Sequence, residues 1–245
     1  MHRVLKHMLT ATCLAVALPW CHAGTVVLTT SQAQIQPGVD NQAWLRLDAA
    51  NENSENDNYV TGTLSPGEIY RSFFAFNLGG LAGTVVGARI ELRRYQQVGA
   101  LNLVFWDVSA SAQDLVGTRQ QMIADAGIFN DLGSGTSYGS FDVLEGDGND
   151  ILVFNLNADA LNDINAQGGS GYFSIGAAVS GAGYLFGASN EEPGASGGQF
   201  NSAQRLVLTF ADSTAVPEPG SLALAALGLA LALRAKRPQV VSAAG

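Results

Sequence analysis

The chain has 245 residues, of which 47% are hydrophobic and 13% charged, with 29 glycines and a formal net charge of −9. An average globular protein carries about 25% charged residues. These figures exclude a collagen-like chain, a highly charged disordered chain and a basic nucleic-acid binder.

The first 23 residues read as a secretory signal peptide. Arg3, Lys6 and His7 form a positive start, Met8 to Leu18 is apolar, and Pro19 breaks the helix. Cys21-His22-Ala23 then offers small residues at −3 and −1 for signal peptidase, with cleavage expected between Ala23 and Gly24. The apolar run is too short to span a membrane comfortably; a plain N-terminal anchor and a lipoprotein built on Cys21 are the alternatives. Both cysteines and all three histidines lie in this leader. From Gly24 to Ser213 there is no Cys, His or Lys, and seven arginines face twenty Asp and Glu, a formal −13. A fold without thiols must rely on its core.

From Thr25 to Phe210 short apolar runs alternate with Gly, Asn, Asp and Ser clusters, which predicts one all-β domain over residues 24–213. The expected strands are Thr25 to Ile35, Ala43 to Asp48, Ile69 to Leu78, Val86 to Tyr95, Leu101 to Ser109, Ser137 to Leu144, Ile151 to Asn157, Tyr172 to Val179, Tyr184 to Gly187 and Leu206 to Phe210. Val86 to Tyr95 is the clearest: Ala88, Ile90 and Leu92 fall on one face, Arg89, Glu91 and Arg93 on the other. About ten strands in some 190 residues fit a single β-sandwich of jelly-roll type. One short helix is expected at Ala158 to Ala166, with Leu161 and Ile164 spaced three apart and Gly168-Gly169 as the stop.

Residue types narrow the chemistry of this domain. Without His, Cys or Lys it cannot build a Ser-His-Asp triad, a thiol nucleophile, a Schiff base or a His/Cys zinc site. Glycoside hydrolysis or a lyase reaction by paired carboxylates stays open. Adjacent Glu191-Glu192 would point opposite ways in an extended loop, and a pair assembled only by folding leaves no spacing signature. No catalytic residue is therefore named, and a non-enzymatic protein without a resident cofactor is expected.

Calcium is the one ligand with a local signal. Glu145, Asp147, Asn149 and Asp150 stand among glycines just before a strand, and hard Ca²⁺ takes six to eight such oxygens. The stretch resembles one calcium-binding turn of β-roll toxins but lacks a stacked neighbour; the same residues make ordinary tight turns. Asn51 to Asn58 is a second oxygen-rich loop. Aromatic rings stack on sugars, and Trp44 and Trp106 are the leading candidates for such a platform, followed by Tyr95, Tyr138 and Tyr184; core packing is the competing role for each. At −13 the domain repels nucleic acid and acidic polysaccharide unless calcium bridges them.

The C-terminal region has three parts. Val216-Pro217-Glu218-Pro219-Gly220 leads into thirteen residues of Leu, Ala, Gly and one Ser, Ser221 to Leu233, followed by Arg234, Lys236 and Arg237. Thirteen helical residues cover about 20 Å against about 30 Å of hydrocarbon, so a thin span needs flanking residues and snorkelling basic side chains. The basic cluster stays cytoplasmic and leaves the acidic domain outside. Residues 214–238 resemble the PEP-CTERM sorting signal of exported Gram-negative proteins, with 239–245 as a tail longer than that signal usually carries. The resemblance implies an inner-membrane intermediate, cleavage by an exosortase near Pro217 to Pro219, and delivery to the cell surface, extracellular matrix or medium in association with exopolysaccharide.

A second resemblance concerns the middle domain. Tyr70-Arg71-Ser72-Phe73-Phe74-Ala75-Phe76 followed by Ala88-Arg89-Ile90-Glu91-Leu92 is similar to the paired strands of DNRLRE-type jelly rolls. It implies a jelly roll on a surface or secreted protein. The expectation from sequence is an exported, exosortase-processed surface or matrix protein serving adhesion or polysaccharide association; a carboxylate-based glycoside hydrolase or polysaccharide lyase is the competing class.

Overall fold

Twelve strands and three helices account for the described part of the chain, which in the computed structural model is residues 24–47, 58–118, 126–146, 148, 150–187 and 204–211. In chain order they are β1 (Thr25–Thr29), β2 (Gln42–Arg46), β3 (Tyr59–Ser65), β4 (Glu68–Asn77), β5 (Val85–Arg93), β6 (Gln96–Val98), β7 (Leu101–Asp107), α1 (Ala112–Thr118), α2 (Ala126–Asp131), β8 (Ser137–Val143), β9 (Ile151–Asn155), α3 (Ala158–Ala166), β10 (Tyr172–Ser180), β11 (Tyr184–Gly187) and β12 (Arg205–Phe210). The signal peptide, the loop at 51–57, Glu191-Glu192 and the whole sorting segment lie outside the described residues.

The strands form two antiparallel sheets. One has the order β1-β12-β5-β9; the other runs β6-β11-β3-β4-β10-β7-β8, with β2 also paired to β4. Alternation puts one face of each sheet into a shared core. Leu28, Ala88, Ile90, Leu92, Leu206 and Leu208 come from the smaller sheet, and Phe74, Phe76, Leu103, Phe105, Phe173 and Ile175 from the larger.

The larger sheet is also covered on its other face. Ala43, Leu45 and Phe73 pack there against Leu115 and Val116 of α1, Phe129 of α2 and Leu132. Strand β4 is thus buried from both sides, which accounts for its unbroken Phe73-Phe74-Ala75-Phe76 run. Arg71 fastens α2 to this strand: its guanidinium donates to the Phe129 and Asn130 carbonyls at 2.8 and 3.1 Å and lies 4.5 Å from the Phe129 ring centre. Burial lowers its pKa from the ordinary arginine value.

Three corrections to the expected elements follow. Three helices are present among the described residues, not one. Helix α1 opens on Ser111, whose Oγ accepts from Asp114 N–H at 3.1 Å and donates to the Asp114 carboxylate at 2.7 Å. It has only seven residues, and α2 six, too few for a 3.6-residue period to emerge. Strand β3 was also absent from the expectation, because Gly62 interrupts it. That glycine has φ +115°, and a Cβ there would collide with the carbonyl of Gly183, the residue just before neighbouring β11. The first strand ends at Thr29 rather than Ile35. Beyond it, buried Asn41 holds the turn by accepting from Ile35 N–H at 2.9 Å and donating to the Gln32 and Ala33 carbonyls at 3.2 Å.

Candidate functional site

Helix α3 caps one end of the two sheets. Asn157 starts it, its side-chain oxygen accepting from Asp159 and Ala160 N–H, while its amide donates to the Ser137 carbonyl at 2.7 Å. Asn165 holds the helix to β5 by bonding both backbone groups of Val85 at 2.9 Å. At this same end the Phe210 N–H donates to the Gly24 carbonyl at 2.9 Å, so the two termini of the described unit leave side by side.

Between α3, the end of β7 and the starts of β8 and β10 lies a polar cleft of about 330 Å³. Asp107, Ser109, Tyr138, Asp163, Gln167 and Ser174 contribute to its polar lining, and among the described residues no Arg or Lys lines it. Asp107 ends β7, and its Oδ1 accepts from Thr136 N–H at 2.6 Å. The close approach requires Gly135, with φ +112°, because a Cβ there would run into the Asp107 carboxylate. Buried Tyr138 stacks on Phe173, with ring centres 5.6 Å apart and planes at 28°. Its hydroxyl donates to Asp163 Oδ2 at 2.6 Å. Burial first, and then the Asp163 hydrogen bond, push the Tyr138 phenol well above the usual tyrosine range, so it remains a donor. The far wall is tied down by Asp131, whose Oδ2 accepts from Ser109 and Ala110 N–H at 2.8 and 3.1 Å. Each cleft carboxylate therefore spends one oxygen on the protein, and the other has no hydrogen bond among the described residues.

A second cavity of about 400 Å³, between α3 and Phe210, is mostly apolar, and its one polar side chain, Asn165, is committed to Val85.

The residues expected from sequence fall elsewhere. Trp44 and Trp106 belong to the same sheet but face opposite ways. Trp44 aligns with Ser72 and meets Tyr70 edge-on at 5.2 Å. Trp106 follows core residue Phe105, aligns with Gly176 on the outer face, and has a buried indole N–H with no hydrogen-bond partner among the described residues. The two do not form one platform. Tyr138 lines the cleft but uses its ring face on Phe173, and Tyr95 packs edge-on against Phe186 at 5.5 Å.

In the Glu145 to Asp150 loop, Asp147 and Asn149 lie outside the described residues. Both oxygens of Asp150 grip Arg94, whose Nε donates to Oδ1 at 2.7 Å and whose Nη2 pairs with Oδ2. Arg94 Nη1 also donates to Gln97 Oε1 at 2.7 Å and to the Leu144 carbonyl at 2.9 Å. The glycines fit this wrapping: a Cβ at Gly146 would strike the guanidinium, and one at Gly148 the Tyr95 carbonyl. Among the described residues no cluster of three or more His, Cys, Asp or Glu could hold a metal ion.

The cleft carboxylates were not legible in the sequence. Asp107 and Asp163 are 56 positions apart, one closing a strand and the other on a helix, and only the sheet ends bring them to one opening.

No curated protein matches the chain. No helix among the described residues is long and apolar enough to cross a membrane; the apolar run at 221–233 lies outside them. Residues 215–237 match the PEP-CTERM protein-sorting motif, which marks this chain as an exported protein targeted to an exosortase and sorted to the cell surface through a membrane-anchored stage.

Proposed function

We propose that this is a non-enzymatic surface or matrix protein, which an exosortase releases near Pro217 to Pro219 and whose β domain associates with extracellular polysaccharide. The observation that carries the reading is the sorting motif at 215–237 behind an acidic domain without Cys, His or Lys. Strand order supports a jelly roll. Counting β1, β4, β5, β7, β8, β9, β10 and β12 as main strands one to eight, the sheets run 1-8-3-6 and 2-7-4-5, the order of two interlocked Greek keys. A Gram-negative source and cleavage after Ala23 belong to the same reading.

Replacing Pro217, Glu218 and Pro219 together by alanine should trap the protein in the membrane fraction of an exosortase-bearing host. Unchanged release to the surface or medium would overturn the processing step. One observation favours a second reading, glycoside hydrolysis: Asp107 and Asp163 line one cleft, as a pair of acids acting on a glycosidic bond must. Appearance of new reducing ends when the protein meets the host polysaccharide would establish it, and their absence alongside retention on the polysaccharide supports simple binding.

A further inference from the structure

We propose that the cleft between Asp107, Tyr138, Asp163 and Ser174 binds a sugar ring that carries no acid group, and that it prefers one with a free amine. This rests on the reading that the protein associates with polysaccharide, and adds which face does so and which sugars it selects.

The argument is an inventory of donors and acceptors. Asp107 Oδ1 is occupied by Thr136 N–H and Asp163 Oδ2 by the Tyr138 hydroxyl, each at 2.6 Å. The other oxygen of each has no hydrogen bond among the described residues, and no basic side chain lines the space. Ser109 and Ser174 add hydroxyls that can donate or accept. The lining thus carries two carboxylates and no cation, and its side-chain donors are neutral groups, Gln167 among them. Sugar hydroxyls satisfy the carboxylates by donating. A uronate or phosphate would bring a third negative charge into a partly enclosed site, where like charges repel more strongly than in open water. An ammonium reverses that sign and forms charge-assisted hydrogen bonds, the stronger kind. The domain's −13 also steers cationic sugars toward it.

Size and rigidity agree. About 330 Å³ is at the low end for small-molecule sites, suited to a ring rather than a long chain segment. Tyr138, fixed between Phe173 and Asp163, sets the carboxylate's orientation before the ligand arrives, which reduces the ordering cost of binding.

The test is calorimetric titration of the full-length chain in detergent, with a metal chelator present, against tetramers of glucosamine, glucose and a uronic acid. The glucosamine tetramer should bind most tightly, the glucose tetramer more weakly and the uronate not at all. Asp107→Asn and Asp163→Asn each keep an oxygen for Thr136 N–H or the Tyr138 hydroxyl while removing the charge. Each should weaken glucosamine binding by about tenfold or more, as expected for loss of a charged hydrogen bond, with melting unchanged. Raising salt from about 0.05 to 0.5 M should weaken wild-type glucosamine binding severalfold, a readout that needs no variant. Uronate binding as tight as glucosamine, natively melting variants that bind glucosamine unchanged, salt-insensitive binding, or binding that appears only when calcium replaces the chelator would each overturn the proposal. If no tetramer binds but host exopolysaccharide still retains the protein, the cleft assignment falls and the polysaccharide reading stands. Retention by no polysaccharide removes both.

Discussion

Two places in this domain gather carboxylates and glycines, and they use them in opposite ways. In the loop before β9, both oxygens of Asp150 are turned inward onto Arg94, a side chain only 5% exposed, and glycines let the backbone close around it. In the cleft at the other end of the sheets, Asp107 and Asp163 each bond the protein through one oxygen and keep the other without a hydrogen bond among the described residues. The first arrangement is a clasp and the second a receptor. Composition does not separate them; the partners do. The clasp contains a cation of its own, so its charge is spent, while the cleft has none and keeps its charge for something outside the chain.

If that distinction holds, the clasp should govern stability and the cleft should govern binding. The largest effect is expected from Arg94→Ala. It removes the Asp150 pair and leaves Gln97 Oε1 and the Leu144 carbonyl without their donor. A cost of about 3 kcal/mol is expected, in the range for breaking buried charged networks. For a domain of this size that is about 10 °C in Tm, measured by thermal melting. Asp163→Ala should cost about 1 kcal/mol, the loss of one hydrogen bond to Tyr138. Equal losses at the two positions would dissolve the distinction.

A buried tyrosine beside each region allows a second comparison, by pH. Tyr59 donates to the Arg93 carbonyl at 2.8 Å near the clasp, and Tyr138 donates to Asp163 in the cleft. Burial is the first cause that raises both phenols above the ordinary value of 10.0. A raised phenol keeps its proton in the folded state after the unfolded chain has lost it. Unfolding then releases a proton, so stability is intact below about pH 10 and declines above it. The slope is about 1.4 kcal/mol per pH unit for each group. Alkaline melting curves should therefore be steeper for wild type than for Tyr59→Phe or Tyr138→Phe. If neither variant flattens the curve, the two hydroxyls are not held as described.

Much of the framework was legible in sequence because burial there is one-sided. In β5, Ala88, Ile90 and Leu92 enter the core while Arg89 and Glu91 between them are less buried, and the pattern repeats every two residues. Helix α3 was readable from Leu161 and Ile164 and from its glycine stop. Where two-sided burial or a special backbone shape intervenes, the pattern disappears. Phe73 serves a second core made by two helices too short to announce themselves, and Gly62 breaks the apolar rhythm of β3 for a steric reason that exists only once β11 lies beside it. The cleft was the least legible, because nothing local marks Asp107 or Asp163 apart from other surface acids. The sorting signal was the most legible, because its three parts are contiguous and its reader is an enzyme that recognises a linear segment.

The smallest effect concerns calcium, and it tests the clasp from the ligand's side. To bind Asp150, the ion would have to pull both oxygens from Arg94, leaving a guanidinium in an interior that offers it only Gln97 and one carbonyl. The cation already present does what a bound ion would do for the loop. Millimolar calcium should therefore change Tm by less than about 1 °C, since a ligand stabilises a fold only insofar as it binds the folded state. A rise of several degrees that Asp150→Asn abolishes would mean that the ion wins this competition, and the loop would then be a metal site that an arginine occupies only in the ion's absence.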